Sequence, residues 1–228
     1  MKNNLIPRIV EIVGPAGAGK TTLCQALNHS SAFIQLSNFP NIRQISAAPF
    51  FFGNGFQVFA RFLSFPLTST QKINRREFAW LSILNGWPAV LEKELRSNKI
   101  IILDQGPIYL LTEIREFGSD YLRQGKADIL WQDLYSRWSD TLNLIVWLDA
   151  EDTDLLKRIR SRDKDHIIKN ESMESTFEFL ARYRSAYEVT LSSLEKVHAG
   201  LKILRFNTSS TPPQEIADQL LLEFTSNR

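Results

Sequence analysis

Gly14-Pro15-Ala16-Gly17-Ala18-Gly19-Lys20-Thr21 spells the pattern G-x-x-x-x-G-K-[ST] and lies between two apolar runs of opposite character. Upstream, Arg8-Ile9-Val10-Glu11-Ile12-Val13 reads as a buried strand, and downstream Thr22-Leu23-Cys24-Gln25-Ala26-Leu27 reads as the opening of a helix. Strand, glycine loop and helix in that order are the context a P-loop needs. The glycines let successive amides curl inward, and the helix adds the positive end of its dipole. Polyphosphate is the guest this suits. The backbone from Gly14 to Thr22 is expected to hold the phosphates, with Lys20 on the β- and γ-groups and the Thr21 hydroxyl on Mg²⁺.

Working outward, Lys99-Ile100-Ile101-Ile102-Leu103 is an almost continuous apolar run, as expected of a parallel strand covered on both faces, and it ends on Asp104. In an open α/β sheet that tip shares the crevice of the P-loop. Asp104 is suited either to hold Mg²⁺ through water or to accept a proton from an acceptor hydroxyl. Standing just ahead of Gly106 and Pro107, it also has the chemistry of a helix cap. A further apolar strand, Leu142 to Leu148, ends at Asp149. Strands alternating with helical patterns predict an α/β fold with a parallel sheet.

After Asp149 comes a charged helical stretch in which Arg158 and Arg162 are spaced i,i+4. Phosphoryl transfer is catalysed mainly by positioning and charge neutralisation, so arginines closing over the γ-phosphate are what the chemistry asks for. Residues from about 152 to 172 are therefore expected to form a lid. Met173 to about Val197 reads as one long helix with Phe177, Leu180, Tyr183, Tyr187 and Leu191 on its apolar side. Leu201 to Phe206 is the last strand, and the loop at Asn207 and Thr208 is placed to approach a nucleotide base.

Between the second strand, Ala32 to Leu36, and Lys99 lies the most aromatic block, about 38 to 98. It is expected to be a helical cover over the acceptor, with one helix capped by Ser69 or Thr70 and a new one opening at Pro88. The rings between Phe50 and Phe65 are a candidate homodimer interface.

With 228 residues and 43% hydrophobic content the chain is long enough to form one domain, and its net charge of +2 gives no case for nucleic acid or a membrane surface. The charge is uneven: from Ile12 to Arg76 there is no Asp or Glu, while Lys20, Arg43, Arg61, Lys72, Arg75 and Arg76 all fall there. Such a segment suits anionic ligands. A single Cys24 and the absence of a long apolar window point to a reduced, cytoplasmic protein. The scattered His29, His166 and His198 indicate no zinc site.

Taken together, Gly14 to Thr21, the strand ending at Asp104, the run Trp147-Leu148-Asp149-Ala150 leading to Arg158 and Arg162, and the last strand with Asn207 and Thr208 resemble the P-loop nucleoside and nucleotide kinases, thymidylate kinases most of all. The resemblance implies a P-loop NTPase fold with a five-stranded parallel sheet flanked by helices, a helical lid after the fourth strand, and Mg-ATP as phosphate donor. It departs in three places. Gln105 follows Asp104 where thymidylate kinases carry arginine, Ile83 to Gly86 stand where those enzymes place an acceptor-phosphate arginine, and Ser37-Asn38 replaces the carboxylate of deoxynucleoside kinases. The expectation is a Mg-ATP-dependent phosphotransferase acting on a small molecule; a nucleotide-binding regulatory protein with little or no hydrolysis is the alternative.

Overall fold

The computed structural model describes residues 8–37, 73–96, 99–123, 127–163 and 166–226. The strands are β1 (Arg8–Val13), β2 (Ile34–Ser37), β3 (Ile100–Asp104), β4 (Leu144–Asp149) and β5 (Lys202–Asn207). They form one sheet in the order β2-β3-β1-β4-β5, every pair parallel. All their C-terminal tips therefore open on one edge, with β1 in the middle and β3 beside it. The helices described are α1 (Lys20–Ser30), α2 (Arg75–Leu95), α3 (Pro107–Phe117), α4 (Asp120–Arg123), α5 (Asp128–Thr141), α6 (Asp152–Arg160), α7 (Met173–Val197) and α8 (Pro213–Ser226).

Side chains alternate along a strand, so each interior strand feeds two cores. Ile9, Val13, Ile101, Leu103, Ile145 and Trp147 pack under α2, α3, α5 and α7. Val10, Ile12, Ile100, Ile102, Val146 and Leu148 pack under α1, α6 and α8. Burial on both faces is why these strands read as unbroken apolar runs.

One expected boundary is overturned. Pro88 does not open a helix but sits inside α2, which runs unbroken from Arg75 to Leu95. Proline in a helix interior costs about 3 kcal/mol. On either side of it Leu81, Ile83, Leu84, Trp87 and Leu91 are almost fully buried, and Trp87 meets Trp138 edge-on at 6.0 Å. Each such burial contributes about 1.5–3 kcal/mol, enough to carry the helix through the defect. The N-terminus of α2 is fixed by a capping box, with Asn74 accepting from Glu77 N and Glu77 accepting from Asn74 N. Ser69, Thr70 and the rings from Phe50 to Phe65 lie outside the described residues. Among the described residues no helix is long and apolar enough to cross a membrane.

Candidate active site

The loop after β1 is built by close backbone approach. Gly14 has φ +145, and a Cβ placed on it would lie 2.0 Å from the Leu148 carbonyl of β4, so only glycine lets the loop lie this close to the sheet. Gly19, also at positive φ, precedes α1, whose N-terminus has no side-chain cap and no acid in its first turn. Those amides are left for an anion. Lys20 Nζ folds back to donate to the Gly14 and Pro15 carbonyls, both at 2.8 Å, and burial lowers its pKa to about 8. The Arg162 and Asp104 charges act on it in opposite directions.

Thr21 faces the tip of β3: its hydroxyl donates to Asp104 Oδ2 at 2.7 Å. The other oxygen, Asp104 Oδ1, is buried and has no hydrogen-bond partner among the described residues. A buried carboxylate oxygen without a donor calls for a cation or a proton. Hydroxyl and carboxylate together are the hard oxygen set Mg²⁺ takes, so the residues present fit that ion. Beyond Asp104 the chain reverses through Gln105, held at φ +60, and Gly106, where a Cβ would come within 2.7 Å of the Glu11 carboxyl carbon. Glu11, fully buried on β1, accepts from Ile108 N with both oxygens, at 3.1 and 2.9 Å, and from Tyr109 N at 3.3 Å. A carboxyl group on the central strand thus caps α3, which has no cap of its own from Gly106.

Opposite the loop, α6 ends at Arg160, so Arg158 and Arg162 do not share one helical face as their spacing suggests. Both still line a cavity of about 340 Å³ with Gly17, Gly19, Thr22 and Thr208. Arg158 donates to Gly17 O at 3.3 Å, to Thr208 Oγ1 at 2.8 Å and to Thr208 O at 2.8 Å, joining the P-loop to the loop after β5. Asn207 is not part of this cavity; it lines a separate depression with Trp147, Asp149 and Arg205, and its Oδ1 accepts from Ser209 N. The root of α6 is held from behind by Arg184 of α7, which forks onto Asp149 at 2.8–3.0 Å and reaches Asp152 at 2.6 Å and the Ala150 carbonyl at 2.9 Å.

No protein-family profile matches the sequence, and no curated protein is similar to it at the sequence level. Solved structures are. A thymidylate kinase from Candida albicans, 15% identical, superposes with a TM-score of 0.53 over 97% of this chain and 93% of that one. A deoxyadenosine kinase from M. mycoides, solved with bound dATP and 12% identical, gives 0.51 over 96% and 100%. The fold is that of the P-loop nucleotide kinases. It is the fold expected from Gly14 to Thr21 and the Asp104 strand, and at these identities the likeness speaks for the fold alone.

Within this P-loop kinase fold the sequence reading passed over Glu11 and Arg184. A lone acid inside the apolar run of β1 was the available sign of the first; Arg184 looks like any exposed helix charge until Asp149 is placed beside it. Burial pushes the Glu11 carboxyl up to about 8 against the pull of its backbone donors. The folded chain then binds more protons than the unfolded one between the ordinary carboxyl range and that value, so folding stability falls as pH rises through that window. Glu11→Gln mimics the protonated side chain. The stability of the native protein relative to this variant is expected to drop from about pH 5 to pH 8, by up to about 1.4 kcal/mol per unit, in urea unfolding at fixed pH. A flat difference removes the attribution.

Proposed function

We propose that the chain is a Mg²⁺-ATP-dependent phosphotransferase that moves the γ-phosphate to a hydroxyl or phosphate of a nucleoside- or nucleotide-like small molecule. The observation that carries this is the Thr21–Asp104 contact, with the unpartnered Asp104 Oδ1 beside an uncapped P-loop helix. In this reading the backbone from Gly14 to Thr22 cradles the phosphates, and Lys20 leaves the Gly14 and Pro15 carbonyls to neutralise the β- and γ-groups. Thr21 and Asp104 hold Mg²⁺, which when bound offsets charge on the phosphate oxygens. Asp104 is also the group placed to take the acceptor's proton as the acceptor oxygen bonds to the γ-phosphorus and the bond to ADP breaks. Arg158 fastens the loop after β5 at Thr208 over the nucleotide, Asn207 lies outside this cavity, and Arg162 is the arginine proposed over the phosphates.

The whole chain, 1–228, is read as one domain, with about 38–98, of which 38–72 lie outside the described residues, proposed to cover the acceptor and about 152–172 proposed as the lid. A single buried Cys24 fits a reducing, cytoplasmic setting. One observation favours the regulatory alternative: both terminal nitrogens of Arg158 are already engaged by Gly17 and Thr208.

ADP release from Mg-ATP, measured over a panel of nucleosides, nucleoside monophosphates, sugars and aminoglycosides, separates the two. A single acceptor class that raises turnover well above the basal rate is the expected result. Tight ATP binding with no acceptor accelerating its loss moves the assignment to a nucleotide-binding regulator.

A further inference from the structure

Between α3 and α7, in the helical layer on the other side of the sheet from α1, lies a groove of about 410 Å³ that contributes nothing to the nucleotide cavity. Arg115, Arg123 and Arg182 line it with one carboxylate, Glu116, and with Thr112 and Ser185. Two of these arginines are already paired: Arg123 with Asp120 at 2.5 Å and Arg182 with Glu116 at 2.8 Å. Arg115 is not. Its hydrogen bond goes to the Tyr135 hydroxyl at 2.8 Å, and its guanidinium lies 5.6 Å from the centre of the Trp131 ring and 5.7 Å from that of Tyr135.

Burial raises the pKa of the Tyr135 phenol, so that partner stays neutral. Arg115 thus has no ion pair among the described residues although it is half-buried. A guanidinium tied to one phenol hydroxyl, with donors left over and no ion pair among the described residues, has the fork geometry that takes an oxyanion.

We propose that this groove is a second anion site, taking the phosphate group of a small metabolite between Arg115 and Arg182. Its position ties it to the other site by two covalent routes. The helix that carries Arg115 begins three residues after Asp104, and Ser185 on its opposite wall is next to Arg184, the residue that grips Asp149 and Asp152. An anion drawing α3 and α7 together therefore acts on the β3 tip and on the root of α6. This proposal does not depend on the chain being a kinase.

The test is titration of ¹⁵N-labelled full-length protein with inorganic pyrophosphate, and separately with a nucleoside monophosphate, each at constant ionic strength. The Trp131 indole N–H, which donates to the Leu122 carbonyl beside the groove, reports on this site, and the Gly19 amide reports on the P-loop. The Trp131 signal is expected to shift saturably with one or both probes. In Arg115→Gln the affinity read from it should fall about tenfold or more, as loss of a hydrogen bond to a charged group implies. Because Arg115 packs on Trp131, Ser185→Glu provides a second variant that leaves that packing alone and sets a negative charge on the wall; it should abolish the Trp131 shift while the Gly19 shift persists. The proposal is overturned if Trp131 stays still while Gly19 moves, if sodium chloride alone gives the same shift, or if Ser185→Glu binds as the native protein does.

Discussion

Lys20→Ala will lower ADP release from Mg-ATP by about 10²–10³-fold and leave the melting temperature unchanged or higher. The first half follows from where the ammonium sits. It is carried by the first residue of α1 at the open end of the phosphate loop, and its two contacts are to backbone carbonyls of that same loop rather than to a carboxylate. The cavity next to this loop is lined by no lysine that could take its place. The second half follows from its surroundings. Burial depresses the Lys20 pKa, which means that holding the charge there costs folding free energy rather than supplying it. Removing a group that serves the ligand and strains the fold is the usual signature of a functional site. Turnover measured beside a thermal melt decides both halves, and retained turnover in a folded variant would remove Lys20 from the phosphate site.

Asp104→Asn is expected to cost about a hundredfold in turnover, and the way that loss responds to Mg²⁺ tells which duty Asp104 performs. Asparagine keeps an oxygen to accept from Thr21 Oγ1, so the turn after β3 and the contact at 2.7 Å have no reason to collapse. What disappears is the negative charge and the buried oxygen that has no partner among the described residues. If Asp104 works through the metal, raising Mg²⁺ recovers part of the rate; if it takes the acceptor's proton, no concentration of Mg²⁺ does. Unaltered turnover at low Mg²⁺ would excuse Asp104 from both.

The sheet was readable in the sequence because its signals are local. Strands buried on two faces carry apolar runs, and β1, β3 and β4 fall within a residue or two of where Arg8–Val13, Lys99–Leu103 and Leu142–Leu148 place them. The long helix α7 likewise spans Met173 to Val197 as its apolar stripe indicates. What escaped was decided by contacts between distant segments. Pro88 is tolerated because Leu91 is buried in the core and Trp87 packs on Trp138 of α5, which no local pattern announces. Arg158 has the spacing of a phosphate-facing residue, yet its partners Gly17 and Thr208 lie 141 and 50 residues away. Glu11 sat in plain sight as the only acid of β1, but its meaning depends on the amides of Ile108 and Tyr109 arriving above it.

That last arrangement constrains the order in which the chain acquires structure. The donors that begin α3 find their acceptor 97 residues earlier, on the strand at the middle of the sheet. A helix whose opening turn is closed by a distant strand has no reason to persist before that strand is in register with β3. Formation of α3 is therefore expected to be coupled to β1–β3 pairing, and the turn bearing Asp104 to become rigid in the same event, so that during folding this corner is completed along with the sheet centre instead of being added to a finished scaffold.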